Sequence, residues 1–341
     1  MLTVLSIAYA LAPVRPDTAG GAEQVLLALD RTLTAGGYHS IVVAAAGSQV
    51  AGQLLPTHSL PECFTGATRQ HAERRQRRRI EEALRRFPID VIHCHGIDFA
   101  THLPDTGVPT LVTLHLAADC YPPAALHRPR TWFNCVSSSQ RRRFMGLPAM
   151  LPEIDNGVPI AALSARHARR KFALALGRIC PEKGFHLALD AASMAGVPLL
   201  IGGRVFPYEA HERYFADEIV PRLGNGARFL GPLDFARKRR LLSAARCLLA
   251  PSLVAETSSL VAMEALACGT PVVAFRAGAL PEIVEHGITG YLVDDVRGMA
   301  DAIAKVGALD PSHCRRVARE RFAEERMAAQ YLATYRRLAS Q

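Results

Sequence analysis

The stretch PSLVAETSSLVAMEALACGTPVVAF, residues 251–275, decides the fold. It opens where the apolar run CLLAP ends, and a loop follows that carries Glu256. Ser258 or Ser259 stands where a helix N-cap is expected, and LVAMEALAC then runs to Gly269 and Pro271 as its stop. The apolar run PVVAF resumes at once. Strand, helix, strand, with both runs apolar throughout, is a βαβ unit of a parallel sheet covered on both faces.

Outward from this segment the same alternation fills the chain. The predicted strands are LTVLSIAY, SIVVAAA, DVIHCH, PTLVTLH and FNCVS, then FALALG, PLLIG, ARFLG, CLLAP, PVVAF and GYLVD. The pattern restarts after IDNGVPI (154–160), where Arg-rich SARHARRK leads to a fresh strand at Phe172. The reading is an α/β chain of two doubly wound Rossmann-like domains, 1–160 and 161–320. A length of 341 residues at 49% hydrophobic content exceeds one ordinary core and excludes disorder. In open α/β sheets ligands bind beyond the carboxyl ends of the strands, so candidate groups are sought in those loops.

Lys and Arg number 40 against 31 Asp and Glu, a net +9 that favours anionic partners: nucleic acid, an acidic membrane or phosphorylated ligands. One Trp and 6% aromatics count against a protein that stacks single-stranded bases, and no nucleic acid is expected. Within residues 69–87, Ile80, Ala83, Leu84 and Phe87 follow helical spacing while eight arginines crowd elsewhere against three glutamates. This is either a surface for anionic lipid headgroups or a phosphorylated acceptor, or a solvated helix face. The eight cysteines show no CxxC pair and read as reduced, mostly buried thiols of a cytoplasmic protein. The opening LTVLSIAYALAP lacks a basic n-region and reads as a buried first strand rather than a signal peptide. Residues 38–57 carry no charge, but Gly, Ser and Gln interrupt them, which argues against a membrane span.

Several residues carry candidate chemistry. Glu264 is the only charge in a helix apolar on every side, so something must donate hydrogen bonds to it. A ribose diol offers two such donors; a buried Arg or backbone group is the alternative. The helix N-terminus at Leu260 and Val261 offers free amides to a phosphate. Arg178 and Lys183, in the loop of LALGRICPEKG (174–184), form a guanidinium fork and a mobile ammonium suited to a diphosphate; a solvated pair is the alternative. Gly20 and Gly21 open a helix after the first strand, though not in the GxGxxG spacing of a dinucleotide site. His93 and His95 share a strand face without an evident third ligand, so no metal site is expected. His95 is expected at the strand's mouth as a polar contact to a sugar or acceptor. His115 ends the next strand in a similar position, and for His93 a core role is preferred.

Taken together these motifs resemble family 4 of the retaining glycosyltransferases, which have the GT-B fold of two facing Rossmann-like domains. The likeness runs in order through GGAE, DVIHCH, the NGV turn at 156–158, GRxxxEKG, the pair Glu256 and Glu264 eight apart in ETSSLVAMEALACGTPVVA, and GALPEIVEHGITGYLV at 278–293. It implies that Arg178 and Lys183 clamp the pyrophosphate of a UDP- or GDP-linked sugar donor and that Glu264 binds its ribose. It further implies that Glu256 contacts the transferred sugar and that amides near Leu260 and Val261 meet the distal phosphate. Gly20 and Gly21 would close over the donor, His95 would contact the sugar, and the last helix, about 321–341, would pack back onto the first domain. The implied activity is transfer of a hexose to a glycan, lipid-linked or small acceptor, without a metal or bound cofactor. A sugar-nucleotide epimerase of the same superfamily and an inactive basic binding protein are the rival readings. The chain departs from the family at Ser258-Ser259, where Phe-Gly is usual, so the expected sugar site is more polar. No Asp-x-Asp occurs, in keeping with Arg and Lys, rather than a divalent ion, stabilising the leaving diphosphate.

Overall fold

The computed structural model describes residues 1–18, 20–59, 66–164 and 167–341. The chain forms two compact units: unit 1, residues 1–156 with 325–341, and unit 2, residues 157–324. Unit 1 holds β1 (Thr3–Ile7), β2 (His39–Ala44), β3 (Gln53–Pro56), β4 (Val91–Cys94), β5 (Thr110–Leu114) and β6 (Thr131–Cys135). Unit 2 holds β7 (Ala173–Leu176), β8 (Leu199–Gly202), β9 (Ala227–Phe229), β10 (Cys247–Ala250), β11 (Val272–Phe275) and β12 (Gly290–Val293). The sheets run β3-β2-β1-β4-β5-β6 and β9-β8-β7-β10-β11-β12, every named pairing parallel. Each is therefore the Rossmann order, whose direction of winding reverses between its first and fourth strands. In unit 2 that switch point lies between β7 and β10.

The eleven expected runs all become strands, and β3 is the one the sequence reading missed. It is a four-residue edge strand ending in Pro56, too short for a periodicity signal. Its position is set by Asp30, fully buried in the helix Gly21–Ala35. The Asp30 carboxylate accepts from Ser40 Oγ at 2.7 Å and from the Ala51 and Gly52 amides, pinning the turn into β3. The Arg-rich segment lies in the helix Gly66–Arg86, whose buried residues are Ala72, Gln76, Ile80 and Ala83. The seated stripe is thus displaced from the expected one: Leu84 and Phe87 are only partly buried, and the polar Gln76 enters because its amide donates to the Ala8 carbonyl at 2.8 Å. Six of the seven described cysteines are buried, Cys120 is exposed, and Cys63 lies outside the described residues.

The C-terminal helix Glu324–Ala339 is held to the sheet of unit 1 by a buried polar ladder as well as by Met327, Tyr331, Tyr335 and Leu338. Thr113 Oγ1 donates to Asn134 Oδ1 at 2.8 Å, so it accepts from His93 Nε2 at 2.7 Å, and His93 Nδ1 then accepts from the Tyr335 hydroxyl at 2.7 Å. Asn134 Nδ2 closes the ladder on Tyr331 Oη at 3.1 Å. Both His93 nitrogens are occupied, which removes this residue from any metal set. Tyr335→Phe leaves a fully buried imidazole nitrogen unpaired, and a loss of about 1–3 kcal/mol is expected in chemical denaturation. An unchanged midpoint would show that water replaces the hydroxyl.

At the switch point of unit 1, Asp98 Oδ2 accepts from the Ala10 amide at 3.2 Å and ties the loop after β4 to the loop after β1. Burial pushes the Asp98 carboxyl up to about 7, against the Ala10 hydrogen bond; Glu73 pushes it further and Arg69 opposes. His102, 3.9 Å away, supplies no charge near neutrality because burial pulls its own pKa down to about 3. The folded value lies above the unfolded one near 3.9, so the native state holds the extra proton and stability falls as pH rises from about 4 to about 7. Asp98→Asn is expected to flatten that slope in urea unfolding at pH 5 and 8; an identical slope in both proteins would contradict this account.

Candidate active site

In unit 2 the chemistry gathers at the switch point. β7 ends at Leu176, and the loop beyond it carries Gly177, Arg178 and the short turn Pro181–Lys183. β10 ends at Ala250, and the loop beyond it carries Ser252 and Glu256. The two loops meet: Lys183 Nζ donates to Glu256 Oε1 at 2.6 Å, and Ser252 Oγ donates to the same oxygen. Gly184 permits this approach. It sits in the left-handed region (φ 63°), and a Cβ there would strike the Pro251 carbonyl. Gly278, also left-handed, brings the loop after β11 onto the Glu256 backbone, where the Ala279 amide donates to the Glu256 carbonyl at 2.7 Å. Arg178 is exposed, and its guanidinium makes no hydrogen bond or ion pair among the described residues.

Glu264 lies in the helix Leu260–Ala267 and is 3% exposed. Its partner is neither of the expected alternatives within the protein. Lys238, from the helix Phe235–Ala244, donates to Oε1 at 2.5 Å, while Oε2 is buried with no hydrogen-bond partner. Lys238 belongs to the basic run 237–240, and nothing in its local spacing marks it apart from its arginine neighbours; only the fold delivers it to Glu264. The expected serine cap does not form. Ser259 occupies the N-cap position without a side-chain capping bond, and Ser258 Oγ is buried without a partner. The first-turn amides at Leu260 and Val261 therefore keep the unspent donor capacity of a helix N-terminus.

Unit 1 holds the remaining candidates. Gly20 precedes the helix Gly21–Ala35 in extended conformation, and a Cβ there would strike the Glu23 carboxylate. His95, expected at the mouth, is instead 3% exposed. Its amide continues the ladder to the Ile7 carbonyl at 2.9 Å, so the residue stays within the central layer of the sheet. Its Nδ1 pairs with His115 Nε2 at 3.2 Å, and its Nε2 is buried without a partner. His115 as a residue is less deeply buried than His95, but its imidazole is enclosed as well. Burial pulls His95 well below the usual imidazole range and His115 down to about 3, so both rings are neutral at pH 7. Among the described residues no helix is long and apolar enough to cross a membrane.

The model described as Glycosyltransferase Family 4 matches residues 19–150, and that described as Glycosyl transferases group 1 matches residues 170–308. A D-inositol 3-phosphate glycosyltransferase of Mycolicibacterium smegmatis is 35% identical over 46% of this chain. That alignment spans only 37% of the relative's length. A phosphatidyl-myo-inositol mannosyltransferase of the same organism is 27% identical over 89% of this chain and 84% of its own. Among solved structures, sucrose-phosphate synthase of Thermosynechococcus elongatus superposes over all of both chains with a TM-score of 0.84 at 20% identity. An Anabaena protein crystallised with UDP-glucose covers 98% of this chain and 99% of its own with a TM-score of 0.75 at 20% identity. These likenesses show the GT-B fold. With one family model on each unit, in the expected order, and a mannosyltransferase relative along most of its length, the chain belongs to glycosyltransferase family 4.

Proposed function

We propose that the protein transfers a hexose from a UDP- or GDP-linked sugar to a glycan, lipid-linked or small acceptor, with retention at the anomeric carbon and without a divalent metal. The observation that carries this reading is the junction at the unit 2 switch point, where Lys183 and Glu256 meet at 2.6 Å, with the exposed Arg178 in the same loop as Lys183. A cationic pair at the carboxyl end of a strand suits a diphosphate whose charge grows as it leaves. In the proposed reaction the bond from the anomeric carbon to the diphosphate oxygen breaks and the bond to the acceptor oxygen forms on the same face. The acceptor proton passes to the departing diphosphate. Arg178 and Lys183 hold that diphosphate, the amides at Leu260 and Val261 meet its distal phosphate, Glu264 takes the ribose diol, and Glu256 takes hydroxyls of the transferred sugar.

The relatives named for inositol phosphate and phosphatidylinositol acceptors favour an anionic polyol acceptor. The helix Gly66–Arg86 fits such an acceptor at a membrane surface, where we place a peripheral contact. Arg77 pairs with Glu81, and Arg79 and Arg86 share Glu82, whereas Arg74, Arg78 and Arg85 are exposed and outside any ion pair among the described residues. A donor screen for nucleotide release, with and without lipid extract, tests the transfer. Base-selective release that depends on acceptor supports it, and interconversion of the sugar nucleotide without release would support the epimerase instead. Flotation with phosphatidylglycerol vesicles against phosphatidylcholine vesicles tests the membrane contact.

A further inference from the structure

A second cluster in unit 2 takes no part in the proposed transfer. Cys180, Glu182 and His211 bring a sulfur, a carboxylate oxygen and an imidazole nitrogen within 4.8 Å of one another. Cys180 is buried just ahead of the turn Pro181–Lys183, where its thiol donates to the Glu182 carboxylate and makes a long contact to the Arg178 carbonyl, 3.6 Å. Glu182 is exposed within that turn, and its carbonyl accepts from the Leu253 amide at 2.9 Å, which fixes its backbone. His211 comes from the helix Glu209–Tyr214, reached after β8, and Tyr208 packs edge-on against its ring at 5.1 Å. His211 Nδ1 is buried with no hydrogen-bond partner. Buried polar atoms are rarely left unpaired in this way, and the residue that bears this one stands beside a thiol and a carboxylate.

We propose that Cys180, Glu182 and His211 form a binding site for a divalent cation of borderline softness, zinc by the chemistry of its donors, with a fourth position left to water. One thiolate, one imidazole and one carboxylate select zinc over magnesium or calcium, which take oxygen ligands. Tetrahedral zinc at its usual bond lengths spaces such donors about 3.4–3.6 Å apart, so donors within 4.8 Å of one another need draw in by no more than about 1.4 Å. Glu182 and His211 have the solvent-side freedom to do so, whereas buried Cys180 is the fixed point. On binding, the thiol proton passes to solvent, and thiolate and carboxylate together balance the ion's charge. The ion would tie the helix Glu209–Tyr214 to the turn that bears Lys183. No step of the transfer runs through it, so the site stands or falls apart from the proposed function.

The test uses the full chain stripped with chelator, titrated with zinc chloride by calorimetry and with cobalt chloride by absorption. One equivalent of zinc is expected to bind, and cobalt to develop a thiolate charge-transfer band with tetrahedral d–d absorption. Cys180→Ser should abolish the band, and Glu182→Gln and His211→Gln should each weaken it. Cys120→Ser, at the exposed thiol, should leave it unchanged. Absence of stoichiometric zinc binding in the wild type, or a band that persists in Cys180→Ser, overturns the proposal. Circular dichroism checks folding, and if Cys180→Ser fails to fold, the two surface variants decide: unaltered affinity in both overturns the site.

Discussion

Arg178→Ala and Lys183→Ala each lower turnover by about 10²–10³-fold, with the smaller change in KM, if these residues meet the leaving diphosphate as proposed. The reason is that the diphosphate gains negative charge as the glycosidic bond lengthens, so a cation beside it is worth more in the transition state than in the ground state. The two losses should differ. Arg178 is exposed and in no ion pair among the described residues, so its removal strands no paired carboxylate. Lys183 is the partner of Glu256, whose side chain is 11% exposed, and its removal leaves that carboxylate with Ser252 alone, an unpaired anion facing an anionic donor. Lys183→Ala should therefore be the more damaged enzyme, and the double variant Lys183→Ala with Glu256→Gln should regain donor affinity over the single one. Single-turnover kinetics with the donor found in the screen separate binding from chemistry. Turnover equal to wild type in Arg178→Ala would remove the diphosphate assignment.

Glu264→Ala is expected to weaken nucleotide diphosphate binding about 10²-fold. Lys238 holds one carboxylate oxygen at 2.5 Å, while the other is buried without a partner. Such an unpaired oxygen costs about 1–3 kcal/mol, and a ribose hydroxyl that donates to it recovers that cost on binding. Substrate and side chain then form a double-mutant cycle. The wild type should bind 2′-deoxy or 3′-deoxy nucleotide diphosphate more weakly than the ribonucleotide, and Glu264→Ala should lose the discrimination. Lys238→Met leaves Glu264 a buried anion without its cation and should cost stability as well as affinity, which thermal unfolding in the absence of nucleotide reads directly. Calorimetry with UDP and GDP measures the affinities. Equal discrimination in wild type and Glu264→Ala would place the ribose elsewhere.

Much of the fold was legible because its determinants are local. Apolar runs of four or more residues separated by helical pattern specify parallel strands wherever they occur, and the restart after residue 160 repeats the same code. The site was legible where motif and loop position coincide: Arg178, Lys183 and Glu256 stand directly after strands, where a Rossmann sheet offers its ligand groups. β3 was lost because a four-residue edge strand is too short to show a period, and it depends on a buried Asp30 some twenty residues upstream. The serine cap was misjudged because the residue type favours an N-cap, but its hydroxyl geometry is settled by surrounding loops.

By itself the amino-acid sequence determined the two parallel sheets, the family, and which loops hold the charged candidates, since each of these is written in contiguous segments. The tertiary structure alone decided the partners. It set Lys238 against Glu264, Tyr335 against His93, and His211 beside Cys180, pairings of residues 26, 242 and 31 positions apart. It also buried His95, which strand position alone would place at the mouth. A buried charge or imidazole takes whichever group the packing brings within about 3 Å, and no spacing along the chain encodes that distance.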